Sequence, residues 1–164
     1  MRYYGFSNLY ISSIQHGIQN AHTIADMFTK YQNSTDDDID LLYDWAENHK
    51  TMILLNGGYS ETLRGLLEMF NDKKNPYPFA SFNEGEDALD GALTCVGIIL
   101  PEKIYESSAY IRSLPFRKRE EVIEKIKESG MIELEPYQGI AVTHELSKWE
   151  FNLVLELNNY GLAS

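Results

Sequence analysis

A chain of 164 residues with 43% hydrophobic and 24% charged side chains can bury one core of ordinary domain size, and its 11 glycines and 5 prolines exclude disordered, collagen-like and low-complexity classes. Twenty-five acids against 14 bases leave a net charge of −11, a field that repels phosphate backbones and anionic lipid and argues against general nucleic-acid or membrane binding. The single cysteine, Cys95, excludes an internal disulfide and a Cys-rich metal site and suits a reducing, cytoplasmic setting.

The N-terminal residues carry no charged n-region followed by an apolar run, so no secretory signal is expected, and Arg2 to Tyr10 reads as an aromatic-rich strand ending near Leu9. Ile11, Ile14, Ile18, Ala21, Ala25 and Phe28 then recur at steps of three and four, which predicts an amphipathic helix capped by Ser12 or Ser13 with that stripe against the core. Asn33 to Asp38 is a polar break, followed by a short helix marked by Ile39, Leu42, Tyr43 and Ala46. Met52 to Leu55 is a strand stopped by Asn56-Gly57-Gly58, and Leu63, Leu66, Leu67 and Phe70 mark the next helix. Asn75-Pro76-Tyr77-Pro78 ends that helix, Phe79 to Phe82 is a short strand, and a loop with Glu84, Glu86, Asp87 and Asp90 leads to the apolar strand Leu93 to Leu100. That apolar run, Ala92 to Pro101, is about half the length a membrane-spanning helix needs. Beyond Pro101 the pattern predicts helices to about Ser113 and from Phe116 to Ser129, the second ended by Gly130. A hairpin around Pro136-Tyr137-Gln138-Gly139 follows, then a last helix with Trp149, Leu153, Leu157 and Tyr160. The order implies an α/β protein: a four-stranded mixed sheet with helices on its faces over residues 1–101, and a mainly helical extension, 102–164, packed on that core as one domain.

Two segments carry a likeness to a known family. Gly17-Ile18-Gln19-Asn20-Ala21-His22 is similar to the Ala-Ala-Gln-Cys-x-His-Ala stretch on the first helix of type 2 peptidyl-tRNA hydrolases, and Thr94-Cys95-Val96-Gly97-Ile98 with Pro101 resembles that family's Thr-Val-x-Gly-Ile-Gly-Pro strand. The resemblance spans about Arg2 to Pro101 and implies a four-stranded mixed sheet. If activity is retained, it points to His22 and Thr94 as catalytic candidates. The position of the family's lysine, four before the glutamine, holds Gln15, and its Asp-Ala-Gly-x-Thr loop corresponds to Asn83-Glu84-Gly85. An ester carbonyl that develops negative charge needs cations and donors. Loss of that cation turns the expected use from hydrolysis to binding. The small, acidic, Tyr-rich character of the chain also resembles accessory proteins of tailed phages, for which one task is sequestering a small nucleotide-like host signal in the host cytoplasm.

Gln15, Gln19, His22 and Asp26 repeat at four, three and four and form a polar stripe beside the apolar one. Together with Asn83 and Thr94 they are the candidate ligand-binding set, with a solvated helix flank as the alternative. The Asn56 to Ser60 turn is read as a tight turn and helix cap ahead of an anion cradle. The acids at 36–38 and 40 and those at 84–90 lack calcium-loop spacing, and His16, His22, His49 and His144 lack zinc spacing, so neither metal nor other cofactor is expected. Arg117-Lys118-Arg119, Lys125 and Lys127 interleave with glutamates as a solvated helix. Tyr3, Tyr4, Phe6 and Tyr10 are core or interface residues ahead of a stacking shelf for a base. Cys95, inside its apolar strand, is expected to be a buried thiol and not a nucleophile. The expected partner is a small polar or nucleotide-like ligand, with a homodimer also open; an active peptidyl-tRNA hydrolase and an acidic protein–protein inhibitor are the competing functions.

Overall fold

The computed structural model describes residues 1–34, 37–137 and 140–163. The chain divides into two compact units, residues 1–100 with 160–164 and residues 101–159. In the first, a four-stranded sheet has the order β2-β1-β4-β3, built from β1 (Arg2–Ser7), β2 (Met52–Asn56), β3 (Phe79–Asn83) and β4 (Leu93–Leu100). β1 runs parallel to β2 and antiparallel to β4, and β3 is antiparallel to β4. This is the mixed α/β sheet expected from the sequence.

Helix α1 (Ser13–Tyr31) starts at Ser12, whose hydroxyl accepts from the Gln15 amide while the Gln15 side chain accepts from the Ser12 amide. That reciprocal pair satisfies two of the donors a helix start leaves open. Helix α2 (Asp37–Asp44) runs into a π-helical turn at Trp45–His49, α3 spans Ser60–Phe70, and the acidic loop holds a short α4 (Glu86–Leu89) that the sequence pattern did not reveal. Of the first acidic run, Asp36 lies outside the described residues.

The α1 helix is where expected, but the face it buries is not. The buried residues are His16, Gln19, Asn20, Thr23, Met27 and Tyr31, whereas Ile14 is 77% and Ile18 46% exposed, Ala21 and Ala25 are exposed, and Ile11 and Phe28 are only partly buried. The cause lies in the strands. Gly5 of β1 pairs with Gly97 of β4, and the Tyr3 ring lies over both: a Cβ on Gly97 would stand 2.3 Å from the Tyr3 hydroxyl oxygen, and one on Gly5 2.7 Å from Cε1 of the ring. The Tyr3 hydroxyl donates to Asn20 Oδ1 at 2.9 Å, Asn20 Nδ2 donates to Ser7 Oγ at 2.8 Å, and the Cys95 thiol donates to Asn20 Oδ1 at 3.3 Å. Side chains on alternate strand positions share a face, so Tyr3, Gly5, Ser7, Cys95 and Gly97 give the sheet a polar and small-residue surface that α1 meets with amides. Farther along the same face an apolar cluster of Tyr3, Met27, Tyr31, Leu42, Trp45, Ala80 and Ile99 closes the packing. The opposite face is hydrophobic: Phe6 meets Phe70 of α3 and Tyr160, with ring centroids 6.1 and 5.0 Å apart.

The second unit holds α5 (Glu102–Ser113), α6 (Phe116–Ser129), the hairpin β5 (Met131–Tyr137) and β6 (Ile140–Glu145), and α7 (Lys148–Leu157). Gly130 ends α6 with φ +71, as the sequence predicts, and the hairpin's Gln138 and Gly139 lie outside the described residues. Arg119 donates to the carbonyls of Arg112 and Leu114 at the end of α5, and Lys127 pairs with Glu124 at 2.6 Å. Glu150, 4% exposed, receives the Ser147 amide and pairs with Lys103 at 2.7 Å. Trp149, Leu153 and Leu157 are buried in this unit, and Tyr160 belongs to the first, where the chain end pairs Leu162 with Leu55 of β2.

Gly97→Ala is expected to lower stability by about 1–3 kcal/mol through overpacking against the Tyr3 ring. Gly65→Ala, in open space on α3, is expected to be neutral or stabilising. Chemical denaturation of the two variants checks this, and equal effects would contradict the packing described.

Candidate functional site

The six predicted site residues divide into three places. Gln15 is spent on the α1 cap, and Asp26 is exposed three turns later, about 16 Å along the helix axis. Asp26 lines a concavity of about 350 Å³ at the free edge of β3, with Lys30, Phe79, Ser81, Leu67 and Asn71. There the Lys30 ammonium donates to the Phe79 carbonyl at 3.0 Å and lies 3.3 Å from the centroid of its ring. The Tyr31 hydroxyl takes the Phe79 amide at 3.2 Å, so two α1 side chains cover part of an edge that would otherwise pair with another strand.

The other four gather at the end of β3. Gln19 is 6% exposed and its Nε2 donates to a carboxylate oxygen of Glu84. His22 is exposed and stacks on Phe82 with ring centroids 4.6 Å apart and planes at 14°. The Thr94 hydroxyl, 2% exposed, reaches the Phe82 carbonyl at 3.5 Å, and strand pairing passes from Phe82–Cys95 to Asn83–Leu93, leaving Thr94 as the extra residue of a bulge. Asn83 itself donates to the Gly91 carbonyl at 2.8 Å. Bulges of this kind commonly re-aim side chains beside functional sites.

Sequence reasoning missed His16. It is 6% exposed, one turn before Asn20 on the buried side of α1, and its Nδ1 has no hydrogen-bond partner among the described residues. Gln19 Oε1 is in the same condition. The sequence singled out Gln19 by its spacing but gave His16 no such signal, because its apparent place was on the flank of a helix expected to face the other way.

The glycine turn after β2 is a turn and not a cradle. The Gly57 amide donates to the Ser7 carbonyl at 2.7 Å and the Gly58 amide to Asn56 Oδ1 at 3.0 Å, so neither is free for an anion. Of the four aromatic residues near β1, Tyr3 and Phe6 are buried and Tyr4 is partly so. Tyr10 is 79% exposed and tilted against Tyr59 at 5.3 Å. No group of three or more His, Cys, Asp or Glu suited to a metal ion is present among the described residues, and no helix among them is long and apolar enough to cross a membrane.

No family model matches the chain, and no curated protein matches it.

Cys95 is fully buried, and burial raises its thiol pKa, as it does that of the Tyr3 hydroxyl beside it. Both groups are neutral in their stable folded form. An acid whose folded pKa lies above its unfolded value leaves stability intact below the unfolded pKa and removes it as pH rises toward the folded one. These two groups are therefore expected to leave stability unchanged from neutral pH up to about pH 8, near the ordinary range of a free thiol, and to lower it above that. Native Cys95 is expected to label with a thiol reagent only at the rate of unfolding. Denaturation at stepped pH and timed labelling check both, and labelling within seconds in native buffer would contradict the burial.

Proposed function

We propose that the chain is a small-ligand binding module on a peptidyl-tRNA-hydrolase-like fold. Its site lies where α1 crosses the end of β3, and it binds without turnover. One observation carries this reading: two polar atoms, His16 Nδ1 and Gln19 Oε1, sit on side chains more than nine-tenths buried on one face of α1 and have no partner among the described residues. Leaving a buried polar atom unpaired costs about 1–3 kcal/mol, so two on neighbouring turns mark a place where something other than protein completes the bonding.

The lining sets the class of ligand. Gln19 Oε1 and the Glu84 carboxylate are acceptors, and Glu84 has no cationic partner among the described residues. The stacked His22 and Phe82 rings present a flat face. A planar heterocycle with N–H donors suits this surface. A phosphate next to Glu84 does not, and a nucleotide-like ligand would keep its phosphates in solvent. We place this activity in the cytoplasm, where a lone reduced thiol is the ordinary state. Withdrawal of a small host signal by a phage protein is a task such a binder could serve.

Hydrolysis has less support. Gln15, at the position of the family's lysine, is engaged in a helix cap, and the Thr94 hydroxyl is buried against a backbone carbonyl. Neither supplies the charge that an ester transition state needs.

Thermal-shift and calorimetric titration with adenosine, guanosine, cytidine and uridine, and with their 5′-monophosphates, tests the reading. At least one nucleoside is expected to bind more tightly than its monophosphate, with affinity falling about five-fold to more than a hundred-fold in Gln19→Ala or His22→Ala, the equivalent of one lost buried hydrogen bond or stacking contact. No binding by any nucleoside, or affinities unchanged in both variants with the fold intact, would sink it. Cleavage of peptidyl-tRNA that Thr94→Ala abolishes would establish the hydrolase instead.

A further inference from the structure

The apolar stripe that α1 leaves in water has an order of its own. Ile11, Ile14, Ile18, Ala21, Ala25 and Phe28 alternate steps of three and four without a break, the a/d spacing of a coiled coil, and the four middle residues stand in water while Ile11 and Phe28 are partly buried. Globular surface helices ordinarily turn such a stripe to their own core. Here the core side is taken by His16, Asn20, Thr23 and Met27, half a turn away, and the seam is exposed at Ile14, Ile18, Ala21 and Ala25.

We propose that this seam docks on the same seam of a second copy of the chain, with the two α1 helices antiparallel about a two-fold axis. The arrangement of large and small residues selects that occupant. In an antiparallel pair each a position meets a d position of the other helix, which sets Ile18 against Ala21 and Ile14 against Ala25 of the second copy, both pairs twice over by symmetry. Each isoleucine of the exposed stretch then faces an alanine, while the same register sets the partly buried Ile11 and Phe28 at the two ends of the contact. A parallel pair would stack isoleucine on isoleucine and alanine on alanine, leaving a gap at one end. The helix dipoles also favour the antiparallel pair.

Charge points the same way. On a chain of net charge −11, α1 carries one acid, Asp26, and one lysine, Lys30. The positions flanking the seam are Tyr10, Gln15, Gly17, His22, Ile24 and Thr29, with no carboxylate among them, so two copies meet there without acid facing acid. The exposed area of Tyr10, Ile14 and Ile18 amounts to a few hundred Å² per copy, below the roughly 800 Å² per partner of a standard stable interface. A dimer held by so small a face is expected to be weak and concentration-dependent.

Sedimentation equilibrium of the full chain from about 1 to 300 μM tests the proposal. The expected result is a reversible monomer–dimer equilibrium whose dissociation constant rises about a hundred-fold or more in Ile14→Glu and in Ile18→Glu, since each charge enters the interface twice. Both side chains lie outside the core, and circular dichroism verifies that the variants fold. Leu162→Glu, exposed elsewhere on the same unit, should leave the equilibrium unchanged. Mixing Ile14→Cys with Ala25→Cys protein under mild oxidation should give a crosslink between the two variants in excess of either with itself. A chain monomeric throughout, a dimer indifferent to both glutamates, or self-crosslinking in preference to mixed would overturn the proposal. In a monomer, slow labelling of Ile18→Cys would assign the seam to a cover supplied by the chain itself.

Discussion

The Tyr3 ring lying across Gly5 and Gly97, with its hydroxyl held by Asn20, is the contact from which the first unit is organised. Two adjacent strands without side chains at one register position make a shallow trough, and the Tyr3 ring fills it together with the Asn20 amide. The ring then projects a hydroxyl toward α1, and a buried hydroxyl needs a partner. Asn20 supplies it and simultaneously binds Ser7 and the His16 carbonyl. Once Asn20 faces the sheet, helical geometry carries His16, Gln19, Thr23 and Met27 inward with it.

The consequences run outward along α1 in both directions. Toward its C-terminal end the buried face becomes apolar, and Met27 and Tyr31 join Leu42 and Trp45 in a conventional core. Toward its N-terminal end the buried face stays polar, where Gln19 Oε1 and His16 Nδ1 have no hydrogen-bond partner among the described residues. Stability and candidate binding thus sit on one helix face a few turns apart. The outward face carries what such a helix normally hides, an aliphatic seam. The two proposals, ligand binding and self-association, thus concern opposite sides of one helix, with His22 at the border between them.

Charge distribution supports the same division. The chain's acids lie chiefly on the polar breaks, the α3 and α4 starts and the second unit's helices, while α1 is almost neutral. Glu84 is the exception that reaches α1, and it makes the candidate site an acceptor of donors and an unfavourable place for phosphate. A carboxylate there opposes the development of negative charge on a bound group and favours ligands that bring N–H donors.

Every strand of the first unit was legible in the sequence, because strand and helix periods differ and Asn-Gly-Gly and Pro-x-Pro break the chain between elements. The presence of α1 was equally plain, with its cap narrowed to Ser12 or Ser13, as was the buried Cys95 in its unbroken apolar strand. The short α4 was hidden because one turn of acidic residues has no periodicity to detect. Gln19, His22 and Thr94 could be picked out as a set, but Gln15 and Asp26 could not be separated from them, since even spacing along a helix says nothing about what stands opposite each turn. The face of α1 was decided by the tertiary structure alone. Two stripes with the same three-and-four spacing lie on opposite sides of that helix, one aliphatic and one of amides, and hydrophobicity ranks the first as core. The ranking fails because the partner surface is polar, and that surface exists only after Gly5 and Gly97, 92 residues apart in sequence, are paired across two strands.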